Sequence, residues 1–80
     1  MLSQLKSAKK VVGAKQLRRA LAEQTATAVF LAKDADPALT QPLAQQCEPC
    51  GITPVWVESM QALGKACGIS VGAAAAAILR

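Results

Sequence analysis

The chain contains no histidine and no tyrosine, and only one phenylalanine and one tryptophan among its 80 residues. Without histidine, acid–base catalysis near neutral pH lacks its usual agent, and the commonest transition-metal ligand is missing as well. With Phe30 and Trp56 as the only aromatics, no aromatic sheet face exists on which successive bases could stack. No apolar run reaches the ~18 residues needed to span a bilayer. The opening MLSQLKSAKK has no contiguous apolar core of the signal-peptide kind, so neither leader nor anchor is expected. Three cysteines are too few, and the wrong parity, for a disulfide framework, which points to a reducing cytoplasm. No glycine-rich phosphate loop is present. The sequence therefore predicts a protein that is not an enzyme and carries neither cofactor nor metal.

The acids are also missing from one stretch. Residues 1–22 hold Lys6, Lys9, Lys10, Lys15, Arg18 and Arg19 and no Asp or Glu. The remaining residues hold Lys33, Lys65 and Arg80 against Glu23, Asp34, Asp36, Glu48 and Glu58. The net charge of +4 is thus concentrated at one end, as on a surface that meets a polyanion. The segment VVGAKQLRRAL sharpens this. Leu17, Ala20 and Leu21 fall at helical spacing after the turn residue Gly13, so a helix begins near Ala14 or Lys15. The first turn of a helix favours Asp or Glu. This one carries Lys15, Arg18 and Arg19 on a single face, where they repel one another. A local rule broken in this way marks a candidate functional site.

With 52% hydrophobic and 18% charged residues, the chain is predicted to fold as one small domain over residues 1–80. Its elements alternate. SQLKSAKK (3–10) is a short basic helix candidate with Ser3 as N-cap. Val11-Val12 end a short strand, and AKQLRRALAEQ makes a helix finishing near Gln24. TATAVFLAKDAD (25–36) centres a buried strand on Val29, Phe30 and Leu31. Asp36-Pro37 is a helix-start signal, but Pro42 moves the expected start of regular helix to Thr40. Pro49 and Gly51 then stop it around Cys47. Val55-Trp56-Val57 reads as a third strand, with Trp56 expected in the core. Ser59 caps a helix that runs to about Cys67, with Gly68 just beyond it. In ISVGAAAAAILR alanine favours helix by propensity. Yet the run is short and has no polar face, and a strand covered by helices on both sides explains it better. The sum is a three-layer α/β/α sandwich with a small mixed sheet of about four strands and about four helices.

Four stretches, GAKQLRRAL, FLAKDADP, VWVESMQALGKACGI and SVGAAAAAI, resemble in order and spacing the small ribosomal-protein family called L-seven-Ae-like. Within it they are most similar to the short bacterial YbxF-like branch, over nearly the whole chain. The resemblance implies a three-layer α/β/α domain that binds kink-turns, RNA elements in which tandem sheared G·A pairs beside a bulge fold the helix axis sharply; a monomer is expected, since nothing in the sequence demands a dimer. Its implied partner is RNA rather than DNA, in a ribosomal RNA or a riboswitch. In the family, the helix after the glycine turn enters a major groove that the kink has opened, whereas ordinary A-form RNA keeps that groove too narrow for side chains. The motif carries over as Gly13, Lys15, Gln16 and Arg19. Gly13 would let the backbone approach closely. Lys15 would donate to guanine O6 or N7, and Gln16 would both donate and accept at the G·A edges. Arg18 and Arg19 would neutralise phosphates. Asp36 lies where the family places an acidic residue near the flipped-out bulge nucleotide, and Ile69-Ser70-Val71-Gly72 would cover the bulge. The chain departs from the family twice. Lys15-Gln16 replaces the Asn-Glu of archaeal and eukaryotic members, and lysine cannot accept a hydrogen bond. Glu23 stands where a basic residue is common, which weakens one phosphate contact.

Other readings compete at several positions. Asp36 before Pro37 also reads as a cap or turn residue, and Ile69 and Val71 as packing at the edge of the core. Cys47-Glu48-Pro49-Cys50 has redox spacing, but it falls at a helix C-terminal end, where the dipole does not favour a thiolate. Zinc wants four ligands, and only Cys67, read as a small buried hydrophobe, is left to join the pair. Three rival functions stay open: a general double-stranded RNA or ribosome-associated binder without kink specificity, a protein-interaction scaffold, and a small redox protein.

Overall fold

The structure is a computed structural model and describes residues 9–80. Its elements in chain order are β1 (Lys10–Val12), α1 (Ala14–Ala22), β2 (Ala26–Ala32), α2 (Pro37–Cys47), β3 (Val55–Val57), α3 (Met60–Ala66) and β4 (Ala75–Leu79). The helix expected over 3–10 falls outside the described residues as far as residue 8, and Lys10 opens β1 instead. The strand order is β1-β4-β2-β3; β4 runs antiparallel to both neighbours, and β2 and β3 pair in parallel. Two helices cover one face and one the other, so the mixed four-stranded sheet is the middle of three layers.

Burial explains this arrangement. Leu17, Ala20 and Leu21 on α1 and Leu43 and Cys47 on α2 pack on Val29, Leu31, Ala75 and Ala77. On the opposite face, Leu63 and Cys67 pack with Phe30, Ala32, Val57 and Ala76. Strand residues alternate between the two cores, as a two-sided strand must. The alanine run is therefore the strand the sequence predicts: β4 is central, and Ala75, Ala76 and Ala77 are fully buried. Propensity lost to position here, because methyl groups let helices come close on both sides. Phe30 lies directly across from Ala76, bulk opposite space.

Two expectations need correction. Helix α2 begins at Pro37, not near Thr40, and Pro42 lies inside it. Pro42 is on the exposed side, so the missing N–H costs a bond at the surface, while burial of Thr40, Leu43 and Cys47 holds the helix together. Trp56 is not a core residue: it is 42% exposed. It shares a sheet face with its partner Leu31, but β3 is a three-residue edge strand that the two helices on that face leave uncovered.

Candidate nucleic-acid interface

Strands β1, β2 and β3 all point the same way, and a helix follows each of them. All three helices therefore start at one end of the sheet, which gathers three positive dipole ends. None of the three has an acid in its first turn. The segment that enters β4 meets them there, and backbone bonds fix the assembly. Gly13 N–H donates to Ala75 O at 2.8 Å, Ala32 N–H to Ala74 O at 2.9 Å, and Ala73 N–H to Met60 O at 2.9 Å. Met60 N–H in turn donates to Asp34 Oδ1 at 2.7 Å, tying the loop after β2 to the start of α3.

The helix starts differ from one another. Asp36 caps α2 through Ala38 N–H at 2.9 Å, and Ser59 caps α3 through Ala62 N–H at 3.0 Å. At α1 the N-cap is Gly13, with no side-chain cap. The first helical bond runs from Leu17 N–H to Gly13 O at 2.9 Å. The amides of Ala14, Lys15 and Gln16 precede it and belong to the helix's unpaired first turn. Gly13 has φ 110° and ψ 151°, a conformation that is essentially glycine-only. A helix N-terminus with open amides, bordered by cations, is a place for an anion.

Lys15, Gln16, Arg18 and Arg19 are all exposed on α1. Lys15 and Gln16 lie in the first turn; Arg18 and Arg19 stand one turn further along. Gln46 Nε2 of α2 donates to Arg18 O at 3.2 Å and braces the helix. Arg19 pairs with Glu23 at 3.4 Å, so its crowding with Lys15 is already partly offset within the protein. Asp36 is seen here as a cap, and its place beside the other helix starts puts it at the same end. Ile69 and Val71 are 38% and 68% exposed, so packing at the edge of the core does not account for them. Their loop, with exposed Ser70 and Gly72, is seated on α3. A Cβ on Gly64 would collide with Val71 O, and one on Gly72 would press on Met60 Cβ at 3.2 Å.

Sequence reasoning missed three contributors to this end. Asp34 is one, because nothing local announces its bond to Met60, 26 residues on. Leu39 and Met60 are exposed apolar residues in the first turns of α2 and α3. For Leu39 a signal existed, because it sits beside rather than on the stripe of Thr40, Leu43 and Cys47.

Two of the three thiols, Cys47 and Cys67, are buried. Burial raises the Cys47 thiol above its ordinary value, and the nearby Cys50 adds to the effect. Burial likewise raises Cys67, with Lys10 pulling slightly the other way. All three cysteines are free. Among the described residues, no group of three or more acidic, histidine or cysteine side chains could hold a metal ion.

Known proteins resemble this chain in sequence and in fold. Residues 1–80 match the model of the "Ribosomal protein L7Ae/L30e/S12e/Gadd45 family". The RNA-binding protein YbxF of Geobacillus stearothermophilus is 46% identical over 76 residues, covering 95% of this chain and 93% of that protein. An RNA-binding protein of Bacillus pumilus is 46% identical over 69 residues, covering 86% of this chain and 84% of its own. Among solved structures, a 15.5kD RNA binding protein of Giardia lamblia superposes with a TM-score of 0.89 at 32% identity, over 99% of this chain and 70% of that one.

Proposed function

Because the chain belongs to the ribosomal protein L7Ae/L30e/S12e/Gadd45 family, we propose that the end of the sheet where its helices start binds RNA at a kink-turn. The family is not one of enzymes, and the relatives at 44–46% identity are named RNA-binding proteins. The observation that carries the reading is the start of α1: uncapped amides at a glycine-only turn, with exposed Lys15 and Gln16 in the first turn. Lys15 donates to a guanine edge and Gln16 reads the sheared G·A pairs. Arg18 and Arg19 bind phosphate, and the exposed loop of Ile69, Ser70, Val71 and Gly72 lies over the bulge together with Asp36. The chain acts as a monomer on ribosomal or regulatory RNA in the cytoplasm, a setting that suits its three free thiols.

The test is a titration against a short kink-turn RNA and a control in which both sheared pairs are converted to Watson–Crick pairs, at several salt concentrations. Tight binding to the first and a loss of at least tenfold on the second is expected. Gln16→Ala should erode that ratio by about 5–100-fold, the worth of one good base contact. Arg18→Ala should weaken both RNAs alike and reduce the salt slope by about one. Equal binding of both RNAs by the unaltered protein would leave only a basic surface and reject the kink-turn reading.

A further inference from the structure

Arg19 and Glu23 are one helical turn apart, and Lys15 is one turn before them, so the three form a single column along the exposed side of α1. Arg19 Nε lies 3.4 Å from Glu23 Oε2, with the side chains 77% and 55% exposed. Both residues line a shallow depression on the flank of α1 that Gln16 also borders. The carboxylate thus stands on the same flank as Gln16, which the reading above assigns to the G·A pairs. A negative charge on a surface built to meet phosphate calls for a reason. An exposed ion pair is weak, so stability does not supply one.

We propose that Glu23 is a specificity-determining residue that acts by holding Arg19; this rests on the RNA-binding reading above. In the free protein the carboxylate stands where a phosphate would, and takes one cation out of the set available to any passing backbone. A phosphate that meets Arg19 does so beside the Glu23 carboxylate, whose charge opposes it. A regular duplex, whose shape fixes no phosphate against this flank, gains little from that contact. A kinked RNA docked on Lys15 and Gln16 holds a phosphate in place, and a charge-assisted bond to a fixed phosphate outcompetes a solvated carboxylate. Specificity then comes from a cost imposed on the wrong partner as much as from contacts with the right one.

The mechanism has a signature in salt dependence. When Arg19 meets a phosphate, condensed counterions leave the RNA, and while Glu23 holds it the control engages Arg19 less than the kink-turn does. Removing the carboxylate should therefore steepen the salt slope on the control by up to about 0.9, the value for one phosphate neutralised, and leave the slope on the kink-turn nearly unchanged. The experiment uses the kink-turn RNA and its Watson–Crick control with four proteins: the unaltered chain, Glu23→Gln, Arg19→Ala and the double variant. Glu23→Gln should raise affinity for the control about three- to fivefold, with the steeper slope, and for the kink-turn less than twofold. In the Arg19→Ala background the same change should alter neither affinity nor slope, which separates action through Arg19 from a general charge effect. An unchanged ratio of affinities in Glu23→Gln, or an equal gain without Arg19, overturns this inference while leaving kink-turn recognition standing. Failure of the unaltered chain to prefer the kink-turn overturns both.

Discussion

Helix α1 ends at one edge of the molecule and begins at the other, and the two termini treat their unpaired backbone groups in opposite ways. At the C-terminal side, Thr25 gives both its N–H and its hydroxyl to Ala20 O, at 3.0 and 3.3 Å. Leu21 O accepts from Gln24 N–H at 3.2 Å and from the Cys50 thiol at 3.6 Å. Arg80 Nε reaches Gln24 O at 3.1 Å, closing a turn in which Gln24 has φ 57°. At the N-terminal side, no side chain caps the helix and no acid enters its first turn. Helix ends must find partners for their orphan groups from side chains, water or a ligand. At the C-terminal end the chain supplies donors to its own carbonyls; at the N-terminal end, which faces outward beside Lys15, the first amides have no side-chain cap.

That contrast can be broken from the open side first. Gly64→Ala would push a methyl group against Val71 O and force the 69–72 loop off α3. The cost should be about 3 kcal/mol, a fall of roughly 10–20 °C in Tm by differential scanning calorimetry, with RNA affinity falling alongside. A Tm within 3 °C of the parent would show that the loop is not clamped. Gly13→Ala meets no atom within 4 Å, so its whole effect is backbone strain at φ 110°. About 2 kcal/mol of stability should be lost in a urea titration, with a loss of RNA affinity beyond what unfolding accounts for. The closed side gives the smallest effect. Thr25→Val removes one of the two bonds to Ala20 O and should cost about 1 kcal/mol while leaving RNA affinity unchanged. A matching loss of affinity would mean that the capping bonds at this end also position the RNA-facing side of α1.

Much of this architecture is legible in local chemistry. The cap at Ser59, the strand Val55–Val57 and the end of α2 at Cys47 all stand where residue preferences put them. The alanine strand is legible only through an argument about both of its faces, since propensity alone misleads. Pro42 and Trp56 show the opposite failure. For Pro42 the local rule was sound, but the packing of Thr40, Leu43 and Cys47 outweighed it; for Trp56 an aromatic strand residue was assumed to be covered, and the sheet ends too soon to cover it. The column of residues on α1 is readable from spacing, including the Arg19–Glu23 pair. The bond of Asp34 to Met60 and the need for glycine at 64 belong to contacts between distant segments, and no local pattern announces them.

The position of β4 has a consequence for how the protein is made. It is the last strand in chain order and sits between β1 and β2, bonded to both. Until it has left the ribosome, β1 has no neighbour in the sheet and Gly13 has no Ala75 carbonyl to hold it. At about 5–20 residues per second, a nascent chain spends seconds with its basic segment exposed and its turn unformed. The glycine turn and the start of α1 become fixed to the sheet only when β4 pairs with both of its neighbours.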